Sequence, residues 1–378
     1  MKKILFITND FGPRAGGIES FIIGLIQHST VSPITVYTSS QGDTREYDAS
    51  WQADYGVKVI RDPAKILLPT PRVSRSITRI IKELETDVVV FGAAAPLAFM
   101  SAACRRAGAK RVIAITHGHE VWWSKVFPFN LIMRRIGSTT DALTYLGEFT
   151  RRAISRSLTS RAASAMVKIA PGIDTEHFSP VDSTQLKSSL GLSGKRIIVS
   201  VGRLVHRKGQ DKLIESMPTI IQEIPNAHLL LVGEGPYRKH LTKLVRKHHL
   251  EDFVTFIGRI QFAQLPSYIC CGEIFAMPSR SRFAGLEVEG LGIVYLEASA
   301  CGLPVIAGAS GGAPDAVIDG VTGVVVDGLD CAAIADAAIQ MLENPIQSQK
   351  MGLEGRRWVI EHWRWQIWAD EFAKLLRN

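Results

Sequence analysis

No apolar run in this chain approaches the roughly 20 residues that a membrane-spanning helix requires, so there is no candidate for a spanning segment. The opening MKKILFITND turns polar by Asn9, too soon for the apolar core of a signal peptide, and has no cleavage site; the cytoplasm is the simplest compartment. The five cysteines, Cys104, Cys270, Cys271, Cys301 and Cys331, are odd in number and show no C-x-x-C spacing, which argues against both structural zinc and a disulfide framework. Neither G-x-G-x-x-G nor G-x-x-x-x-G-K-[ST] occurs, which leaves a dinucleotide fold and a P-loop nucleotidase without support.

At 378 residues, 46% of them hydrophobic, the chain exceeds one ordinary core and suits two domains. Strand-like runs alternate with helix-like ones: strands at 4–8, 34–38, 57–60 and 88–91, helices at 17–27 and 73–84. Further strands at 197–201, 229–232, 254–257 and 274–277 each run into a turn, which implies a second α/β unit. A final segment, 351–378, reads as helical and carries Trp358, Trp363, Trp365 and Trp368, expected to be core residues. The net charge of +8 is uneven: residues 1–165 carry 22 Lys and Arg against 13 Asp and Glu, so the N-terminal part holds all the excess. Such asymmetry suits nucleic acid or an anionic membrane surface.

The densest stretch is EVEGLGIVYLEASACGLPVIAGASGGAPD, Glu287 to Asp315. Glu289 precedes Gly290 in a loop, Ile293 to Ala300 reads as a buried helix, and Glu297 falls about two turns along it. The N–H groups of Gly292, Ile293 and Val294 are unpaired at that helix start and form a seat for a phosphate. Arg203 and Lys208 follow the strand ending at Val201, where two cations suit a diphosphate. Gly16 and Gly17 end the first turn, Asn9 to Gly17, where backbone can approach a ligand. Strand 112–115 leads into Thr116-His117-Gly118-His119-Glu120, which places two histidines at a ligand-binding edge; a structural histidine or a metal ligand are the alternatives. In residues 121–135, Trp122, Trp123, Phe127 and Phe129 interleave with Lys125, Arg134 and Arg135. With Arg72, Arg75, Arg79 and Lys82 at helical spacing, they form a candidate surface for anionic lipid; a partly buried loop beside a solvated helix is the alternative. No recognised nucleic-acid module accompanies this charge.

The E-G-x-G motif, the two glutamates and the E-A-x-A-x-G-x-P-V-I-A run resemble the family-four retaining glycosyltransferases of GT-B architecture, two doubly wound Rossmann-like α/β domains facing across a cleft. NDFGPRAGGIESF, LPTP, FGAAAPLA, THGHEVWW, RLVHRKGQD and EVEGLGIVYLEA narrow the resemblance to the actinobacterial GDP-mannose-dependent phosphatidylinositol monomannoside α-1,6-mannosyltransferases. The resemblance implies an N-terminal acceptor and membrane-facing domain, 1–168, to which a C-terminal helix, 366–378, crosses back, and a nucleotide-sugar-binding domain, 169–365. It assigns the leaving diphosphate to Arg203 and Lys208, with Gly16, Gly17 and the N–H groups of Gly292, Ile293 and Val294. Glu289 falls to the mannose hydroxyls, Glu297 to the ribose, and the main chain of Arg259 and Ile260 to guanine. His117, with Asp10, Glu19 and His119, lies on the acceptor side. The implied substrates are GDP-mannose and a phosphoinositide glycolipid, with no cofactor and no nucleic acid, on a cytoplasmic protein held peripherally at the inner membrane face. No D-x-D pair is present, Glu287-Val288-Glu289 being the nearest imitation, so no divalent metal is expected. Glu19 departs from the family, whose members have Gln there; an acid is less favourable than an amide near an anionic headgroup. A different donor or acceptor, a nucleotide-sugar 2-epimerase and a silent nucleotide-sugar sensor are the rival readings.

Overall fold

The computed structural model describes residues 2–13 and 16–377; Met1, Asn378, and Arg14 and Ala15 of the first glycine turn lie outside them. The described residues fall into two compact units, one comprising Met1–Gly172 with Trp365–Asn378, the other Ile173–Arg364.

The N-terminal unit is built on seven parallel strands: β1 Ile4–Thr8, β2 Ile34–Ser39, β3 Lys58–Asp62, β4 Val88–Phe91, β5 Arg111–Ala114, β6 Ala142–Tyr145 and β7 Val167–Lys168, ordered β3-β2-β1-β4-β5-β6-β7. β1 and β4 are buried along their whole length, as expected of parallel strands covered on both faces by helices. The helix Pro71–Leu84 shows how sequence sets the cover. Thr70 accepts the Val73 N–H at 3.3 Å, Pro71 occupies the first turn where no N–H is needed, and Val73, Ile77, Ile80 and Ile81 form the buried stripe.

The helix Arg45–Tyr55 has no counterpart among the sequence expectations. It buries only Trp51, whose ring is tilted against Phe11 at 4.8 Å, so it has no apolar stripe to betray it. The expected strand 57–60 sits one residue later and runs to Asp62. The expected single helical segment 351–378 is instead two helices, Pro345–His362 and Trp365–Arg377. No proline breaks it; the Trp363 carbonyl accepts the Ile173 N–H at 2.7 Å and Arg364 bridges to Ile173, so lateral pairing replaces the helical ladder there. The second helix completes the N-terminal unit, with Phe372 packed 5.9 Å from Phe6 and Trp365 lying over Gly24, where a β-carbon would collide with the indole. Trp363 and Trp368 are buried, while Trp358 and Trp365 are half-buried.

The second unit has six parallel strands: β8 Arg196–Val201, β9 Ala227–Val232, β10 Val254–Gly258, β11 Ile274–Met277, β12 Val305–Gly308 and β13 Gly323–Val326, ordered β10-β9-β8-β11-β12-β13. Sheet order reverses between β8 and β11 here and between β1 and β4 in the first unit. In open parallel sheets the crevice outside the carboxyl ends at such a point is where ligands bind.

Candidate functional site

In the second unit the chain leaving β8 and the chain leaving β11 meet at the reversal. After β8, a short turn, His206–Lys208, ends at Gly209 and leads into the helix Gln210–Glu223. Beyond β11, Glu289 precedes the helix Ile293–Ala300, which starts at Gly292. Gly292 has φ +80, and a β-carbon there would sit 2.3 Å from the Tyr295 ring, so only glycine fits this entry. The Glu289 carbonyl accepts the Gly312 N–H at 2.8 Å, which ties the turn Ser310-Gly311-Gly312 to the loop that leads into this helix.

Lys208 and Glu289 are 8% and 7% exposed, and their side chains pair at 2.9 Å. Glu289 Oε2 also accepts Arg207 Nη1 at 2.6 Å. Burial pushes the Glu289 carboxyl up, but the charges of Lys208 and Arg207 and their hydrogen bonds outweigh it and hold it below the ordinary value. Glu297, buried on the helix, lacks such neighbours: burial raises its carboxyl to about 7, opposed only by the Lys208 charge. One lysine therefore serves two carboxylates of different character. Glu289 is held as an anion, and Glu297 sits near its titration point.

Arg203 is exposed, and its carbonyl accepts Gln210 Nε2 at 3.5 Å. Of the two cations predicted to act as a pair, Lys208 is committed to Glu289 and Arg203 stands apart from it; Arg207, which the sequence reading passed over, takes its place in the ion cluster. Its neighbour Lys208 was the only signal available. Arg259 is exposed and Ile260 half-buried just past β10, at the same sheet edge.

In the first unit, His117 follows β5, and its Nε2 hydrogen-bonds the carbonyl of Gly92, the residue after β4. A carbonyl only accepts, so Nε2 carries the proton and Nδ1 is left as the acceptor nitrogen. Burial lowers the His117 pKa, against the opposing charge of Glu120, so the ring is neutral at pH 7. Glu120, not singled out from the sequence, is fully buried: Oε2 accepts the His117 backbone N–H at 2.9 Å and Oε1 lies 3.3 Å from His119 Nε2. The His119 ring stacks on His117 at 6.3 Å, and Phe21 meets it edge-on at 5.5 Å. Glu19 is buried, its carboxylate folded over Gly16 so closely that a β-carbon there would lie 2.3 Å from Oε2, and its charge acts on His117. Asp10 follows β1 at the same edge, with its N–H donated to Thr8 Oγ1 at 2.9 Å. Gly17 opens the helix Gly17–Gln27 and faces open space. Both rings hydrogen-bond backbone carbonyls, His117 that of Gly92 and His119 that of Ala95 at 3.3 Å; among the described residues no three His, Cys, Asp or Glu side chains gather as a metal site would require.

The expected cationic helix face is altered by one residue. Arg72 forks onto Asp62 at 2.8 and 2.9 Å, and Tyr37 donates to the same carboxylate, which these bonds hold down at a pKa of about 2. It is a structural pair, not a free surface cation. Arg75, Arg79 and Lys82 are exposed and, with Arg106, line a groove of about 560 Å³. Of the aromatics, Trp122, Trp123 and Phe129 cluster at 4.6–6.0 Å, whereas Phe127 is 75% and Leu131 54% exposed.

Residues 182–358 match the family model Glycosyl transferases group 1, and residues 15–177 match Glycosyltransferase Family 4. The chain is 41% identical over 376 residues to the GDP-mannose-dependent alpha-(1-6)-phosphatidylinositol monomannoside mannosyltransferase of Mycolicibacterium smegmatis, covering 99% of this chain and 98% of that one. It is 40% identical over 381 residues to the GDP-mannose-dependent monoacylated alpha-(1-6)-phosphatidylinositol monomannoside mannosyltransferase of Corynebacterium glutamicum, covering 100% and 98%. Among solved structures, Anabaena HepE in complex with UDP superimposes with a TM-score of 0.83 at 19% identity, each chain covered in full. Sucrose-phosphate synthase from Thermosynechococcus elongatus does so with a TM-score of 0.80 at 22% identity, covering 100% of this chain and 98% of that one.

Proposed function

The chain belongs to the group 1 and family 4 glycosyltransferases of GT-B fold, and from that premise we propose that it transfers mannose from GDP-mannose to a phosphatidylinositol monomannoside, making an α-1,6 linkage with retention. The observation that carries the reading is the Lys208–Glu289 pair, flanked by Arg207 and by the start of the helix Ile293–Ala300, at the sheet reversal of the second unit.

The reaction breaks the bond between the anomeric carbon and the diphosphate oxygen and forms one to the 6-hydroxyl oxygen of the acceptor mannose. Charge grows on the departing diphosphate, which takes up the hydroxyl proton, while the sugar becomes oxocarbenium-like. Lys208, Arg203 and the N–H groups of Gly292, Ile293 and Val294 supply fixed positive potential to the diphosphate. Glu289, kept anionic, accepts hydrogen bonds from mannose hydroxyls; Glu297 receives the ribose hydroxyls, and the main chain of Arg259 and Ile260 reads guanine. His117, Asp10, Glu19 and His119 serve the acceptor. With cations and amides on the leaving group, the transfer needs no divalent metal.

The acceptor is a lipid, and no helix among the described residues is long and apolar enough to cross a membrane. We place the protein peripherally on the cytoplasmic face, with Phe127 and Leu131 entering the lipid interface and Arg75, Arg79 and Lys82 meeting anionic headgroups.

GDP release from GDP-mannose, measured with EDTA present, with and without acceptor, tests the reading. Acceptor-dependent release that EDTA leaves intact supports it. Release of nucleotide without acceptor and without transfer favours an epimerase-like activity, and loss in EDTA restored by magnesium or manganese overturns metal independence.

A further inference from the structure

The Lys208–Glu289 and Arg207–Glu289 pairs are not alone in spanning the reversal between β8 and β11. Besides Lys208 with Glu289, Asp211 in the first turn of the helix Gln210–Glu223 pairs with Arg280, which follows β11, at 2.6 Å. Both are more than nine-tenths buried, at 6% and 4% exposure. The Arg280 backbone N–H donates to the Arg207 carbonyl at 2.8 Å, and its Nη2 lies 3.0 Å from His206 Nδ1. Tyr237 donates to the same Asp211 oxygen at 3.2 Å. Arg280 thus holds the turn 206–211 at three points, at His206, Arg207 and Asp211, on both sides of Lys208. The contact between the two segments is close: Gly209, at φ +77, has the Pro278 carbonyl where a β-carbon would lie, at 1.9 Å.

The pair is bonded through Asp211 Oδ2 and Arg280 Nη2, while Asp211 Oδ1 and Arg280 Nη1 are buried with no hydrogen-bond partner among the described residues. Burial pushes the Asp211 carboxyl up, but the hydrogen bond and charge of Arg280 hold it below its ordinary value, so it is an anion. His206 is lowered by burial and then by Arg280, so its Nδ1 accepts from the guanidinium. A fork of donors is what this junction uses; a lysine has one ammonium and cannot satisfy ring, carboxylate and geometry together. Removing one partner of a buried pair leaves the other charge uncompensated, so the junction is rigid as long as both remain.

We infer that Arg280 and Asp211 are positioning residues for the transfer: their ion pair fixes the turn that aims Lys208 at Glu289 and at the donor diphosphate. This rests on the reading of that site as the donor site and adds two residues that act through Lys208 without touching the substrate.

The test is calorimetric titration of the full chain with GDP and with UDP, on wild type, Arg280→Lys, Asp211→Asn, Lys208→Met and the Lys208→Met/Arg280→Lys double variant, with thermal unfolding of each. The expected result is at least tenfold weaker GDP binding by Arg280→Lys and by Asp211→Asn. In the Lys208→Met background Arg280→Lys should change affinity less than twofold, since its effect passes through the missing ammonium; a merely structural loss would carry through that background undiminished. Binding within twofold of wild type in both single variants overturns the inference, and so do losses that multiply in the double variant. Should Arg280→Lys fail to fold, the isosteric Asp211→Asn decides alone. Wild-type protein that binds neither nucleotide refutes the donor-site reading and this inference with it, whereas wild-type binding with unaffected variants refutes the inference only.

Discussion

Lys208 Nζ lies 2.9 Å from Glu289 Oε2 across the sheet reversal, and Arg207 Nη1 shares that oxygen at 2.6 Å. In the proposed reading, the cation assigned to the diphosphate and the carboxylate assigned to the sugar are direct partners. The charges and hydrogen bonds of Lys208 and Arg207 keep the Glu289 carboxyl ionised and in place. Arg203 is exposed and forms no ion pair among the described residues, so in the proposed reading it serves the substrate and not the fold.

That difference separates two variants. Lys208→Ala should lower turnover by about 100-fold or more and cost about 1–3 kcal/mol of stability, because Glu289 stays buried with Arg207 alone. Arg203→Ala should also lower turnover, yet leave stability within about 0.5 kcal/mol of wild type. Steady-state kinetics beside denaturant unfolding reads both; near-normal activity in both variants counts against the assignment of the two cations.

The Glu297 carboxyl, raised by burial to about 7 from an ordinary 4.5, makes stability depend on pH in a known direction. Between those values the folded protein binds a proton that the unfolded chain has released, so this residue's contribution falls as pH rises through the window and is greatest at its acid end. The difference in Tm between wild type and Glu297→Gln should therefore shift steadily in favour of the Gln variant as pH increases from about 5 to about 8. A difference that stays flat over that range contradicts the burial argument.

On the first unit, Arg75, Arg79 and Lys82 changed together to Glu should abolish binding to anionic vesicles and leave GDP binding intact. Basic residues near such a surface contribute about 1 kcal/mol each, and reversal turns attraction into repulsion. Wild-type binding should weaken as salt rises. Arg72→Glu belongs in a separate experiment, since it breaks the pair with buried Asp62 and should lower stability first. Salt-insensitive binding, or tight binding to DNA or RNA in place of vesicles, would overturn the membrane assignment.

Both α/β units were legible because their strands are apolar runs ending in turns, and β1, β4 and the helix Ile293–Ala300 fall at the residues their patterns indicate. The helix Arg45–Tyr55 was not, having one buried side chain, and neither was the two-residue β7, too short to show a period. Motif spacing pointed to Lys208, Glu289, Glu297 and His117. It could not show that Arg207 shares Glu289, that Glu120 anchors the His117 turn, or that Asp211 meets Arg280, since each link joins segments whose approach is set by strand order. Arg72 misled for the same reason: helical spacing put it on a cationic face, while its partner Asp62 lies at the end of β3.

The central claim is the transfer itself. Radiolabelled GDP-mannose incubated with the protein and phosphatidylinositol monomannoside should yield a labelled dimannoside whose new linkage is α-1,6, with Glu289→Ala giving none. Label that stays with the nucleotide under these conditions, or that moves only from another sugar nucleotide or only to another acceptor, would contradict the account.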